Sequence, residues 1–297
     1  MLVAGLAFVA HAAGRVGVVE IWAACRRAGP LVALVFLAPA VGLWLHAIGW
    51  RVLLPRDARP SALRSFRIFL GAQAGNEIGF GLLGEPLKVT HLGARHRDAA
   101  VAAVVLDNAT AFVSLILFFI TGLALSGGAL PSPSPGSRAV ALVLLVSVLA
   151  LAWFLRPGKA TALAGNCTRR PRWIFRAARM LDVCRRAAFD RPFDVLAATV
   201  FHYLGKLWIV AEFALLLHLL APGTSDAAAF FGVASAAGSA VGAAVPGQLG
   251  VVEAAILGAA SLRGIGASTA LALALIRRAR GWLWVLLGAA ALPAMRR

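Results

Sequence analysis

Acidic residues are scarce in this sequence. Its 297 residues include 12 Asp and Glu against 29 Lys and Arg. Charged residues make up only 14% of the chain, whereas they make up roughly a quarter of a soluble domain. With 61% hydrophobic residues and a mean hydropathy of +0.84, the composition excludes an ordinary soluble domain. It predicts an all-α, polytopic integral membrane protein with room for about six to eight membrane segments of ~20 residues each.

Cysteine is rare as well. The chain has three cysteines, Cys25, Cys167 and Cys184, and their odd number and spacing match no metal-binding pattern. The histidines form no metal-ligand constellation, and neither a nucleophile with its base nor a phosphate-cradling glycine loop is visible. These absences predict that the protein uses no metal, no cofactor and no catalytic residue.

The excess of basic residues gives a formal net charge of +17. In a soluble protein such a charge would indicate nucleic-acid binding, but the sequence contains no basic soluble domain that could provide it. The basic residues concentrate instead between apolar stretches, above all at 156–191, which the positive-inside rule assigns to the cytoplasm. Part of this linker separates basic and apolar side chains onto two helical faces, which predicts a helix lying on the membrane surface.

Apolar stretches alternate with these basic segments, and two of them contain several Gly and Pro residues. The charges on either side of 68–87, and the length of 227–262, require each of these stretches to enter and leave the membrane on one side. We expect both to be re-entrant, glycine-rich hairpins. The order span, hairpin, span then occurs in both halves with opposite orientation, as in an inverted repeat. We predict one transmembrane domain, 1–297, with halves 1–155 and 192–297 joined by the linker 156–191. The apolar stretches are 2–14, 30–50, 68–87, 99–125, 139–155, 193–221, 227–262 and 267–293.

A glutamate lies in each of the two hairpins, Glu85 in the first and Glu253 in the second. A carboxylate at membrane depth is costly and usually faces a cavity, a partner or a substrate. Neighbouring Gly and Pro residues interrupt the helix and free backbone groups that need partners. The structural alternative is that each glutamate caps a half-helix or pairs with an arginine. The positions that shape the two motifs are Gly84, Pro86, Pro246, Gly247 and Gly250.

Three arginines, Arg277, Arg278 and Arg280, interrupt the last apolar stretch. The planar guanidinium group matches phosphate in two-point contacts, which suggests a site for a phosphate headgroup. Salt bridges to Glu85 or Glu253 are the alternative, and the sequence leaves both interpretations open.

The predicted substrate-binding residues are Asn76, Glu85, Lys88, Gln248, Glu253, Arg277 and Arg278. Interhelical hydrogen bonds are the expected role of Asp107, Asn108, His202, Lys206 and Glu212.

The two motifs resemble those of a known family. Gly84-Glu85-Pro86-Leu87-Lys88 resembles the Gly-Glu-x-x-Arg/Lys motif of the flippase-like transmembrane family typified by the membrane domain of lysylphosphatidylglycerol synthase. Pro246-Gly247-Gln248-Leu249-Gly250-Val251-Val252-Glu253 is similar to that family's Pro-Gly-Gly-Leu-Gly-Val-x-Glu motif. Arg278 falls where the family tends to have an arginine in a late helix, whereas Lys88 and Gln248 replace the commoner arginine and glycine.

The resemblance implies a flippase of the bacterial inner membrane, without the soluble aminoacyl-transfer domain of bifunctional members. The implied substrate is a phospholipid or a polyprenyl-phosphate-linked lipid with an anionic or phosphate-bearing headgroup. Lipid-biosynthesis proteins are further candidate partners. Two alternatives stay open: a membrane-embedded transferase or hydrolase acting on a lipid-linked substrate, with Glu85 and Glu253 as acid and base, and a scaffold of a lipid-synthesis complex.

Overall fold

A computed structural model of the protein describes residues 29–78, 83–92, 96–125, 183–184 and 186–294, together with positions 19, 23 and 26. All regular structure in these ranges is helical, which confirms the all-α prediction. The predicted segments 2–14 and 139–155, and most of the linker 156–191, lie outside the described residues. The helices are α1 (Val32–Leu37), α2 (Pro39–Leu53), α3 (Ala62–Ile78), α4 (Glu85–Thr90), α5 (Arg97–Leu125), α6 (Pro192–Leu220), α7 (Ala228–Val241), α8 (Val251–Leu262) and α9 (Ala267–Ala294).

Three stretches of the described chain are long and apolar enough to cross a membrane, Gly29–Leu53, Arg97–Gly122 and Pro192–Leu220. Helix α9 has 28 residues, but the three arginines interrupt its apolar sequence. At 1.5 Å per residue it is about 42 Å long, which exceeds the ~30 Å hydrocarbon core of a bilayer. These helices establish a membrane protein, and the total of six to eight segments stays a prediction.

Both predicted hairpins are formed by pairs of helices. In the first, α3 and α4 pack together, and α4 is only 6 residues long. In the second, α7 packs along α8, and short 3₁₀ turns at Gly242–Ala244 and Pro246–Gln248 connect them. Gly247 and Gly250 have φ angles of 62° and 83°, a backbone region in which a side chain is strained. The sequence Pro-Gly-x-x-Gly therefore produces the break between α7 and α8.

The two halves make corresponding contacts. In the first half, α2 packs on α3 and α5; in the second half, α6 packs on α7 and α9 in the same way. Between the halves, α3 packs on α9, and α7 packs on α5. The equivalent helices α2 and α6 are antiparallel: Trp208 Nε1 donates to the Ala38 carbonyl at 2.7 Å, while Gly49 lies against Ala198 and His202. Corresponding contacts in the two halves, together with the opposite directions of α2 and α6, are the features expected of an inverted repeat.

Two apolar clusters hold this arrangement together. One joins α6 to the second hairpin and α9 through the buried side chains of Phe213, Phe231, Ile256 and Leu273. The other joins the end of α2 to the start of α6 around Trp50, which is fully buried. Packing of both ends of α6 fixes the rotation of this helix and hence the direction in which its polar residues point.

Candidate functional site

A cavity of about 450 Å³ lies where the two hairpins meet. The end of α3 contacts the turn Pro246–Gln248, and Gly247 lies beside the carbonyl group of Glu77. Cations and carboxylates from both halves of the chain line the walls of the cavity. Ionisable side chains are rare within membrane segments, where they usually mark functional sites. The charged residues of the walls are Glu77, Glu85, Lys88, Asp107, Lys206, Glu212, Arg277, Arg278 and Arg280.

Asn76 connects the two arms of the first hairpin. Its Nδ2 donates to Glu85 Oε1 at 2.9 Å, and its Oδ1 accepts a hydrogen bond from the Gly84 backbone N–H at 2.7 Å. The other carboxylate oxygen of Glu85 contacts Lys88 Nζ at 2.9 Å and accepts from Asn108 Nδ2 at 3.4 Å. Glu85 therefore lines the cavity as a carboxylate whose oxygens are both occupied by side-chain donors.

Gly84 allows the two arms to approach each other closely. A Cβ atom at this position would collide with the backbone of Ala72 in α3. We expect Gly84→Ala to separate the arms, to break the Asn76 hydrogen bonds and to reduce the amount of folded protein. Gly258→Ala is the matched control, because a Cβ atom there meets nothing within 4 Å. A helical Gly→Ala change without a clash stabilises by roughly 0.5–1 kcal/mol. Monodispersity and thermal unfolding in detergent would compare the variants; equal stability of the two would contradict this account.

A chain of polar contacts runs from Lys88 across to α2. Lys88 Nζ donates to Asp107 Oδ2 at 2.8 Å, and Asp107 Oδ1 contacts His202 Nε2 at 2.8 Å. The second ring nitrogen of His202, Nδ1, lies 2.7 Å from Nδ1 of His46. Lys88, Asp107 and His202 are all buried, and the chain connects helices α4, α5, α6 and α2. These are the interhelical contacts that the sequence predicts for Asp107 and His202.

Glu253 lies behind the wall of the cavity rather than on it and is 2% exposed. Its Oε2 accepts from the Gly250 backbone N–H at 2.8 Å, which caps α8, and its Oε1 accepts from Arg278 Nε at 2.6 Å. Arg278 also donates to the carbonyl oxygens of Gly247 at 2.5 Å and Gln248 at 3.3 Å. Glu253 and Arg278 thus anchor the turn of the second hairpin to α9, which is the structural alternative that the sequence left open.

Two cations of the cavity, Arg277 and Lys206, have no acidic partner in the part of the chain that the structure describes. Arg280 pairs with Glu212 at 2.5 Å, although its Nη1 makes no hydrogen bond with any described residue. Arg277 makes neither an ion pair nor a hydrogen bond within that part; its guanidinium carbon lies 6.0 Å from the ring centre of Phe213. Lys206 likewise lines the cavity without such a partner. Lys206 of α6 and Arg277 of α9 therefore line the cavity without a direct acidic partner among the described residues.

The comparison with known families agrees with the two motifs. The family model described as the lysylphosphatidylglycerol synthase TM region matches residues 1–289. The chain belongs to this family. No curated protein and no solved structure matches it. The match covers both halves of the chain, and it concerns the transmembrane region of the family, so it identifies a membrane protein and assigns no catalytic domain.

For this family member, the structure brings most of the predicted site residues to one cavity. Asn76, Glu85, Lys88, Gln248, Arg277 and Arg278 lie on its walls, and Glu253 lies behind them. Sequence reasoning gave a lower rank to Asp107, His202, Lys206 and Glu212, and none to His46. Polar residues at helical spacing within the apolar stretch 193–221 were a usable signal for His202 and Lys206. His46 had no such signal, because a lone histidine in an apolar stretch is uninformative.

Proposed function

We propose that this protein is a multi-pass protein of the bacterial inner membrane that moves a phospholipid or a polyprenyl-phosphate-linked lipid between leaflets. It acts as a transporter and not as an enzyme. The proposal is carried by one observation: Lys206 and Arg277 line a cavity between two helical hairpins and have no ion-pair partner among the residues that the structure describes. Broken helices that meet around a polar cavity are typical of transporter binding sites.

The unpartnered donors support a phosphate group as the recognised part of the lipid. Arg277 Nε and Arg280 Nη1 are buried without a hydrogen-bond partner among the described residues. A buried donor left unpaired costs about 1–3 kcal/mol, and an anion that accepts a hydrogen bond from either donor would reduce that cost. Phosphate oxygens match the guanidinium fork better than a single carbonyl oxygen does. Lys206 of α6 would add a further positive charge to the cavity.

The walls also support a lipid rather than a free anion as the substrate. Apolar side chains, among them Leu43, Phe69 and Ile209, line the cavity together with its charged groups. Trp282 both lines the cavity and is 43% exposed, so the cavity reaches the outer surface of α9. In this arrangement the headgroup occupies the polar interior while the acyl chains stay in the bilayer. A volume of about 450 Å³ lies within the roughly 300–1,000 Å³ of ligand pockets.

Lipid movement in proteoliposomes tests this function. The panel contains fluorescent phosphatidylglycerol, phosphatidylcholine and a phosphate-free glycolipid, and dithionite quenching reports the movement. We expect wild-type protein to move the acidic phospholipid fastest. Arg277→Gln and Lys206→Gln should each slow it about tenfold or more, because a hydrogen bond to a charged group contributes about 1.5–3 kcal/mol. Arg64→Gln is the matched control, since Arg64 is exposed and does not line the cavity.

Three results would count against the proposed lipid transport or its phosphate specificity. Glycolipid movement as fast as phospholipid movement would contradict phosphate recognition. A folded wild-type protein that moves no lipid would contradict transport altogether. Chemical turnover of a lipid-linked substrate in detergent, where no leaflets exist, would instead support the enzyme alternative.

A further inference from the structure

The contact between His46 and His202 places two ring nitrogens of the same kind 2.7 Å apart. A hydrogen bond at this distance requires one proton between the two nitrogens, because two lone pairs repel each other and so do two N–H groups. His202 Nε2 faces Asp107 Oδ1 at 2.8 Å. The carboxylate can only accept there, so His202 carries a proton on Nε2.

Two numbers of N–H protons satisfy all of these contacts. With two, both histidines are neutral: His202 donates from Nε2 to Asp107, and His46 donates from Nδ1 to His202 Nδ1. With three, one ring is an imidazolium: either His202, which donates from Nε2 to Asp107 and from Nδ1 to His46, whose remaining proton is on Nε2, or His46, which then donates from Nδ1 to His202 Nδ1. The states differ by one proton and share the same hydrogen-bonded geometry. The pair can therefore gain or lose a proton without any rearrangement of the helices.

We infer that His46 and His202 form a proton-binding site that couples proton uptake to binding of the anionic lipid headgroup in the cavity. The inference rests on the proposed lipid transport and adds a second, chemically different ligand to it. Both histidines line the same cavity as the unpartnered cations Lys206 and Arg277.

The proton has a direct route into the pair. Both histidines line the cavity, but His46 is partly exposed, whereas His202 is 1% exposed. A proton from cavity water binds His46 Nε2, and the proton on His46 Nδ1 moves to His202 Nδ1. One proton enters, one N–H bond forms at each ring, one N–H bond breaks at His46, and the net charge rises by one. Release reverses these steps.

Lys88 links the histidine pair to the lipid site electrostatically. Its ammonium group lies 2.8 Å from Asp107 and 2.9 Å from Glu85, so one cation serves two carboxylates. When His202 is neutral, this group has a net charge of −1. When His202 is an imidazolium, Asp107 has a second cationic partner and the group becomes neutral. An anionic headgroup then binds in a less negative environment, and by reciprocity the bound headgroup favours proton uptake.

The charged side chains around the histidine pair set the direction of this coupling. Lys206 lies one turn from His202 in α6, and a bound anion beside Lys206 would offset the repulsion between its charge and an added proton on the histidine pair. Helices α1 and α7 contain no titratable residue. Among the described residues that line the cavity, the other charged groups are Glu212 of α6, Asp107 of α5, Glu85 and Lys88 of α4, Glu77 of α3, and Arg277, Arg278 and Arg280 of α9.

Calorimetry can count the protons that accompany lipid binding. Dihexanoylphosphatidylglycerol is titrated into the purified protein in detergent, in two buffers of different ionisation enthalpy, between about pH 5.5 and about pH 7.5. This probe is suitable because its phosphodiester does not titrate in that range. We expect uptake to approach one proton per bound lipid at the pH where the protonation of the histidine pair differs most between the free and the lipid-bound protein. His202→Gln and His46→Gln should each reduce the uptake to near zero, while His218→Gln, at an exposed position of α6, should keep it.

The outcomes separate this inference from the proposed function. Binding without proton uptake at every pH would overturn the proton site and leave lipid transport intact. Uptake that persists in both histidine variants would overturn the assignment to this pair. Failure of the folded wild-type protein to bind the probe would overturn both proposals. If the variants lose binding, the wild-type proton count still tests whether proton uptake accompanies lipid binding, and its absence would overturn the proton site.

Discussion

Glu253→Ala is expected to lower the free energy of unfolding by about 3–5 kcal/mol, because it removes one partner of a buried ion pair. The change leaves the guanidinium group of Arg278 without its carboxylate, which is 2.6 Å away, and leaves the Gly250 N–H without its acceptor. Both losses affect the turn Pro246–Gln248, which Arg278 holds through backbone carbonyls. Reversible unfolding in mixed micelles would measure the effect.

Asp226→Ala is the matched control for this variant. Asp226 pairs with Arg263 at the same distance, 2.6 Å, but its side chain is 72% exposed, against 3% for Glu253. An exposed ion pair contributes only about 0–1 kcal/mol. A similar loss of stability in both variants would show that the burial of Glu253 does not matter. Glu253→Gln, which keeps an acceptor for Gly250, should lie between the two.

Lys88→Met is expected to produce the second large effect, again about 3–5 kcal/mol of lost stability, together with loss of lipid movement. The Lys88 side chain is 4% exposed and is the shared cation of Glu85 and Asp107. Without it, two carboxylates with little access to water face each other across the cavity wall. Unfolding in mixed micelles and the proteoliposome assay would report the two effects separately.

A double variant distinguishes the charge effect from lost packing. Lys88→Met combined with Asp107→Asn removes one cation and one anion, so we expect it to recover part of the stability. Residues in direct contact show coupling energies of about 0.5–3 kcal/mol in such cycles. Simple additivity of the two single variants would contradict the interaction. Lipid movement should stay lost, because the double variant also lacks the carboxylate that faces His202.

The two glutamate motifs have different roles despite their similar composition. Glu85 lies on the wall of the cavity and shares Lys88 with Asp107. Glu253 is buried behind the wall and positions Arg278, which in turn holds the turn of the second hairpin. We therefore expect substitutions of Glu85 to change lipid specificity or pH dependence, and substitutions of Glu253 to change folding first.

Local features of the sequence determined much of this protein. Hydropathy and the scarcity of acidic residues predict a helical membrane protein, and the Gly and Pro residues at 79–86 and 242–250 predict where the hairpins turn. The cap of α8 is also local, since Gly250 and Glu253 are three residues apart and meet in the first turn. Such features depend on neighbours in the chain, so a single sequence contains the necessary information.

Only the tertiary structure decided which charged groups face each other. His46 and His202 are 156 residues apart, and Arg280 and Glu212 are 68 residues apart. Their contacts depend on how far each helix is rotated about its axis, and packing between helices sets that rotation. Gly205 illustrates the reason: a Cβ atom there would meet the ring of His46 at 2.9 Å, so the missing side chain lets α2 and α6 approach. The sequence supplied the charged residues, and packing determined which became partners and which, like Lys206 and Arg277, stayed open to the cavity.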